Sequence, residues 1–379
     1  MPHVAVITTS YPDGKPGADA AGSFVEDFAE ELAKLARVTV LAASRSDAVA
    51  HDGDLTIRRF AVPRLPLSLL KAYSPFDWPA IVTTLRAGRR ALRELIAHDT
   101  PDHVFALWVL PAGWWAQAEA TPRGIPFSTW ALGSDIWSLG RVPVIRARLR
   151  SVLRDATQCY ADGIALAADV ERLGGTSCDF LPSARLLPAN REKPVSAEPP
   201  YKLAFLGRWH PNKGIDLLLG ALRELADEDW QKIEAVRIFG GGPLESEVRS
   251  ASDRLVESGR PITVGGYLDR DAAASLIGWA DYLLLPSRIE SIPVIFSDAM
   301  QLATPIICTP VGDLPRLHER HQFGIIADAF TERALAAAIR SGLQASPADF
   351  ADAVTRASKD FDVAEAARKF LQNLSPVSE

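Results

Sequence analysis

The chain has 379 residues, 47% of them hydrophobic and 23% charged, and a formal net charge of −6. That length supports about two domains, each with a full core, and the acidic balance argues against a nucleic-acid binder, which is normally basic. Cys159, Cys178 and Cys308 are scattered and odd in number; they form neither a metal pattern nor a disulfide framework and point to a reducing cytoplasm.

The start, Met1-Pro2-His3 and then Val4–Ile7, lacks a basic region followed by a long apolar one, so no signal peptide is expected. Val4–Ile7 is a first strand, and Thr8–Ala21 a turn-rich loop with Pro12, Gly14, Pro16 and Gly17. Gly22 opens a helix over 24–36, whose Phe24, Phe28, Leu32 and Leu35 recur at helical spacing. Strands are expected at 38–42 and 57–62. Between them and the next helix, Pro63–Pro79 is rich in proline, leucine and aromatics: Leu65, Leu67, Leu69, Leu70, Tyr73, Phe76 and Trp78. It can pack on its own domain or meet an apolar acceptor or a membrane.

A helix at 81–97 presents Arg86, Arg89, Arg90 and Arg93 on its outer face, and strands follow at 103–107 and 125–130. Gly133, Ser134 and Asp135 come just after a strand end and are candidates to face a cleft. The helix at 143–155 carries Arg146, Arg148, Arg150 and Arg154. Such basic helices can lie on anionic membranes, but this one has few large apolar residues, and a solvated face is the simpler reading. Ser183–Lys202, with Pro188, Pro194, Pro199 and Pro200, reads as the interdomain linker. A second strand–helix series then begins at 203–206. GRWHPNKG occupies 207–214, GGGP 240–243 and GGYL 265–268. The chain closes with helices at 332–344 and about 363–374. No apolar run reaches the ~18 residues of a membrane span.

The most readable stretch is 280–312, ADYLLLPSRIESIPVIFSDAMQLATPIICTPVG. It reads as strand, loop, helix over 292–302 with Pro293 in the first turn, then strand: the unit of a parallel sheet. In such sheets ligands sit at strand carboxyl ends, against helix N-termini that favour phosphate. Glu290 precedes the helix and Asp298 lies eight residues on. Two carboxylates bracketing a phosphate site fit a nucleotide-sugar; a first-turn Glu and a solvated Asp fit the same letters. Arg208 and Lys213, in a strand-to-helix loop bracketed by Gly207 and Gly214, offer a forked cation and a point charge for a diphosphate.

Taken together, GRxxxxKG, GGGP, GGYL and PSRIESIPVIFSDAM, in that order and spacing over most of 203–312, resemble the nucleotide-sugar-binding domain of the GT-B glycosyltransferases, family 4 in particular. The first half resembles them more loosely, through the Gly22 loop and the LGSD segment. The resemblance implies an α/β fold of two doubly wound, Rossmann-like domains facing across a cleft. The first, at 1–185, would bind the acceptor and the second, at 186–355, the donor; a helical tail at 356–379 would cross back. It implies a retaining transferase that needs no metal or other cofactor and moves a sugar from a UDP- or GDP-sugar to a glycan or lipid-linked acceptor. Its place would be the cytoplasm, with contact at the inner membrane face.

By the same resemblance Arg208 and Lys213 hold the diphosphate and Glu290 contacts the transferred sugar. Ser291, Ile292, Pro293 and Val294 face sugar and phosphate, and Asp298 binds the ribose. Tyr267, Leu268 and the turn containing Gly241 flank the base, Gly22 lines the donor side, and Gly133, Ser134 and Asp135 face the acceptor. The sequence departs from the family at several places. Asp298 stands where Glu is usual, Leu132 where His is common, Ala303 where Gly is usual, and Pro182–Arg185 replaces an Asn-Gly turn. Those departures keep a catalytically silent nucleotide-sugar binder in view, alongside another GT-B enzyme such as an epimerase or a phosphorylase.

Overall fold

The structure, a computed structural model, describes residues 1–12, 22–65, 67, 70, 74–188, 191 and 193–374. Gly14, Pro16, Gly17, Leu69 and Tyr73 of the sequence reading lie outside the described residues. The chain divides into two compact units, Met1–Ser183 with Val363–Glu379, and Ala184–Asp362.

The first unit is built on eight strands: β1 His3–Thr8, β2 Arg37–Ser44, β3 Ala48–Asp52, β4 Leu55–Ala61, β5 His103–Leu107, β6 Phe127–Ala131, β7 Gln158–Ala161 and β8 Cys178–Phe180. They lie in the order β3-β4-β2-β1-β5-β6-β7-β8. All pairings are parallel except that of β3 with β4, an antiparallel edge hairpin. Every residue of β1, β5 and β6 is buried, as expected for strands covered on both faces. The chain winds outward from β1 to one side and then returns to β5 on the other, so the order reverses between β1 and β5.

The helix at Trp78–His98 is longer than its apolar spacing predicts, and its basic face is not wholly outward. Arg89 and Arg93 both bind the buried carboxylate of Glu119, at 2.8 and 2.9 Å. The last helix, Val363–Leu374, belongs to this unit and packs on helix Ser23–Ala33. Its Phe370 is buried among Phe28, Phe105 and Tyr160, with ring centroids 4.2–5.9 Å apart across the group.

The second unit has six strands: β9 Tyr201–Arg208, β10 Ile233–Gly241, β11 Ile262–Gly265, β12 Tyr282–Leu285, β13 Ile306–Cys308 and β14 Gly324–Ile326. Their order is β11-β10-β9-β12-β13-β14, all parallel. The short apolar runs of the sequence become these strands because crossover helices cover both faces. Here the winding reverses between β9 and β12. The carboxyl ends of those two strands, Arg208 and Leu285, therefore flank the position where open α/β sheets bind ligands.

One buried titratable group gives the first unit a pH dependence. His103 on β5 is 5% exposed, bonds Ser128 at 2.9 Å and stacks edge-on to Phe370. Burial pushes its pKa down from 6.5 to about 4. The folded state therefore binds the proton less well than the unfolded one. Its contribution is full above pH 6.5 and is lost as pH falls toward 4. A shift of this size is worth up to about 3 kcal/mol. In urea unfolding across that window, wild type is expected to lose stability faster than His103→Gln as pH drops; parallel curves would show that His103 does not carry this term.

Candidate functional site

Two loops of the second unit meet at the β9/β12 switch. The first leaves β9 at Arg208, passes through the turn Pro211–Lys213 and enters helix Ile215–Arg223 at Gly214. Gly214 has φ +67°, a left-handed conformation, and a Cβ there would lie 1.9 Å from the carbonyl oxygen of Pro286. Only glycine lets the backbone of the first loop touch that of the second. Arg288, which sequence reasoning passed over, ties them further. Its amide donates to the Asn212 carbonyl at 2.8 Å, and its guanidinium reaches the Pro211 carbonyl and both oxygens of Asp216 at 2.7–2.8 Å. Burial pushes the Asp216 carboxyl up, but the hydrogen bonds and charge of Arg288 outweigh it and hold the pKa below the usual range.

This closeness brings Lys213 and Glu290 together as an ion pair, with side chains 33% and 20% exposed. Arg208 is exposed at the head of the same loop. Immediately beyond Glu290 comes helix Val294–Gln301. It begins two residues later than the sequence reading placed it: Pro293 is the extended N-cap residue, with ψ 129°, not part of the first turn. Proline also brings no N–H, so Pro293 cannot donate to a phosphate. The Phe296 amide donates to the Pro293 carbonyl at 2.8 Å, which leaves the amides of Val294 and Ile295 as the first-turn donors for a ligand. Beside them the Ser291 hydroxyl is buried and has no partner among the described residues. Unpaired donors, two cations and one carboxylate around a helix N-terminus can hold an anion that carries hydroxyl groups.

On the other side of β9, the GGGP turn and GGYL segment come together. Tyr267 donates from its hydroxyl to the Gly241 carbonyl at 2.8 Å, and its ring lies where a Cβ on Gly241 would be 2.6 Å away. Leu268 follows at the end of that segment, half-buried.

Two acids sit differently from the sequence reading. Asp298 is fully buried and both carboxylate oxygens are taken by the Arg185 guanidinium, Nε at 3.2 Å to Oδ1 and Nη2 to Oδ2. It therefore does not present an oxygen to open space for a ribose. Arg185 stands in the segment that replaced the usual Asn-Gly turn, and Gln301 fixes its carbonyl at 2.6 Å. In the first unit, Asp135 is 1% exposed and accepts from the amides of Val109, Leu132 and Ile136 at 2.8–3.3 Å. Burial raises its pKa to about 6 against the lowering effect of those bonds. It shapes the turn after β6 instead of facing an acceptor; Ser134 beside it is exposed, and Gly133 has the positive φ of 91° that starts the short helix Ser134–Trp137. Gly22, at the carboxyl end of β1, is packed on Tyr11, whose backbone would lie 2.9 Å from an added Cβ.

Residues 200–345 match the family model of glycosyl transferases group 1. The chain is 28% identical over 361 residues to the putative teichuronic acid biosynthesis glycosyltransferase TuaC of Bacillus subtilis, covering 88% of this chain and 87% of that one. These likenesses support a GT-B glycosyltransferase. It is also 25% identical to the GDP-mannose-dependent alpha-(1-6)-phosphatidylinositol monomannoside mannosyltransferase of Mycolicibacterium smegmatis, with 88% and 87% of the two chains covered. Sucrose-phosphate synthase from Thermosynechococcus elongatus shares the fold of this chain, with a TM-score of 0.74 over 98% of both chains at 18% identity. So does Anabaena HepE, solved with UDP-glucose, with a TM-score of 0.69 over 99% of both chains at 14% identity.

The geometry gives Asp298 a measurable role. Truncating it leaves the Arg185 guanidinium, 17% exposed, without its counter-charge. Breaking such a buried pair from one side costs about 3–5 kcal/mol. Asp298→Ala is therefore expected to lower unfolding stability by that order in urea titration without donor present. An unchanged midpoint would return Asp298 to a purely ligand-facing role.

Proposed function

We propose that this glycosyltransferase moves a sugar from a UDP- or GDP-sugar to an acceptor hydroxyl with retention of anomeric configuration and without a metal ion. The observation that carries this reading is the ion pair of Lys213 with Glu290 at one sheet reversal, where β9 ends at Arg208 and helix Val294–Gln301 begins beyond Glu290. Arg208 and Lys213 would take the diphosphate, with the amides from Val294 and the Ser291 hydroxyl completing its seat. Glu290 would accept from hydroxyls of the transferred sugar. Tyr267, Leu268 and the Gly241 turn would flank the base.

In the proposed step the bond between the anomeric carbon and the diphosphate oxygen breaks, and the departing oxygen carries away the electron pair. The acceptor oxygen bonds to the same face of the sugar, and its proton passes to the departing phosphate. Arg208 and Lys213 meet the negative charge as it develops, a preorganised arrangement that costs no reorganisation at the moment of transfer. The acceptor we favour is a glycan or lipid-linked glycan of the cell surface, in keeping with the activities of the relatives in Bacillus and Mycolicibacterium.

Lys213→Ala and Glu290→Ala are each expected to cut turnover by about 10²–10³ while leaving the unfolding midpoint close to wild type, since neither side chain is deeply buried. Radiolabelled-sugar transfer beside thermal unfolding measures both. Wild-type rates in both variants would remove the site assignment. The sealed Asp298 and Leu132 favour one second reading, a donor binder without transfer; calorimetric donor binding with no transfer or hydrolysis across an acceptor panel would establish it instead.

A further inference from the structure

The two loops at the β9/β12 switch are braced unequally. The loop after β12 is gripped at both ends by the segment that follows β13. At one end the buried Thr309 hydroxyl donates to the Ser287 carbonyl. At the other the Asp313 amide donates to the Ser291 carbonyl at 3.1 Å. Gly312, with φ +55°, lies so close there that a Cβ would come within 1.8 Å of the same carbonyl oxygen. The path from Ser287 to Ser291, with Glu290 in it, is therefore set by the sheet.

The loop after β9 has no such grip at its tip. Trp209 is held from the far side, where its amide donates to the Gly241 carbonyl at 2.8 Å. Beyond it the turn bonds to itself: the Lys213 amide to the His210 carbonyl at 2.9 Å, and the Asn212 amide to His210 Nδ1 at 3.1 Å. Pro211 and Asn212 are exposed. Among the described residues, the polar contacts that join this tip to the loop after β12 are the Lys213–Glu290 pair, a long one of 3.4 Å from the Ile289 amide, and those of Arg288. The Arg288 guanidinium is itself aimed by Asp216, in the first turn of helix Ile215–Arg223. Nη1 is shared between the Pro211 carbonyl and Oδ1, while Nη2 takes Oδ2. A lysine has no fork to make those three bonds together. The two side chains are 32% and 48% exposed, and pairs so open to water add little to stability. What the clamp supplies is the position of the turn.

We propose that Arg288 is a positioning residue for sugar transfer: it carries the fixed course of the loop after β12 across to the Pro211–Lys213 turn and so sets where Lys213 meets the donor diphosphate. This rests on the proposed role of Lys213. Arg288 touches no reacting atom and acts through Lys213, with Asp216 as the other jaw of the clamp.

A double-mutant cycle tests it, with UDP and GDP titrated calorimetrically into wild type, Arg288→Ala, Lys213→Ala and the double variant. Arg288→Ala is expected to weaken binding of the preferred nucleotide about tenfold, within the usual range of coupling between neighbouring groups. In the Lys213→Ala background the same change should shift Kd by less than about twofold. Donor kcat/KM in radiolabelled-sugar transfer should follow the same pattern, with the acceptor KM unmoved. Arg288→Lys should bind as weakly as Arg288→Ala, and the unfolding midpoint should stay near wild type in both. Asp216→Asn opens the clamp from its other jaw and replaces Arg288→Ala if that variant does not fold. An equal loss with and without Lys213 would overturn the proposal, because Arg288 would then act on the donor directly or on the whole unit. So would wild-type binding by Arg288→Ala and Asp216→Asn beside a weakened Lys213→Ala, which leaves the donor site standing. Wild-type binding by Lys213→Ala would remove the donor-site reading and this proposal together.

Discussion

The second unit turns on a contact with no side chain in it. Gly214 lies so close to the Pro286 carbonyl that a Cβ would come within 1.9 Å. A left-handed backbone alone would cost a non-glycine residue roughly 1–2 kcal/mol, and the overlap would add to that. With glycine present, the loop after β9 and the loop after β12 share one surface. Arg288 then clasps that surface from outside through Pro211, Asn212 and Asp216. The charged groups follow from this backbone arrangement: Lys213 meets Glu290 because Gly214 meets Pro286.

The two ion pairs near the site serve opposite ends. Lys213 and Glu290 are part-exposed, so their pairing is worth at most about 1 kcal/mol. Each member of such a pair can change partners at little cost. Asp298 is sealed from water and Arg185 is only 17% exposed, so removing one member leaves the other with a large desolvation cost. The first is open to exchange; the second anchors helix Val294–Gln301 to the segment that carries Arg185.

Much of this was legible in the letters, for reasons that can be named. The strands β9, β10, β12 and β13 are compact apolar runs bounded by Gly and Pro, and parallel sheets bury both faces of such runs. The grouping of Arg208, Lys213 and Glu290 followed from two strand-to-helix loops with ordered motifs. What escaped depended on distance or on missing periodicity. β3, AVAHD, is exposed throughout and shows no alternation. β7 and β8 are too short to stand out, and helix Ile164–Gly174 has a weak apolar stripe. Asp298 could be placed on its helix by counting, but its partner lies 113 residues upstream. Asp135 reads as a polar residue after a strand, and nothing in its neighbours reveals three amides converging on it.

The direct measurement is a crystal structure of the protein with a nucleoside diphosphate sugar, UDP- or GDP-linked. The account predicts a diphosphate between Arg208 and Lys213, capped by the amides of the first turn of helix Val294–Gln301, with Glu290 released from Lys213 onto the sugar. Density for the diphosphate elsewhere, with the Lys213–Glu290 pair intact and Arg208 turned to solvent, would contradict it.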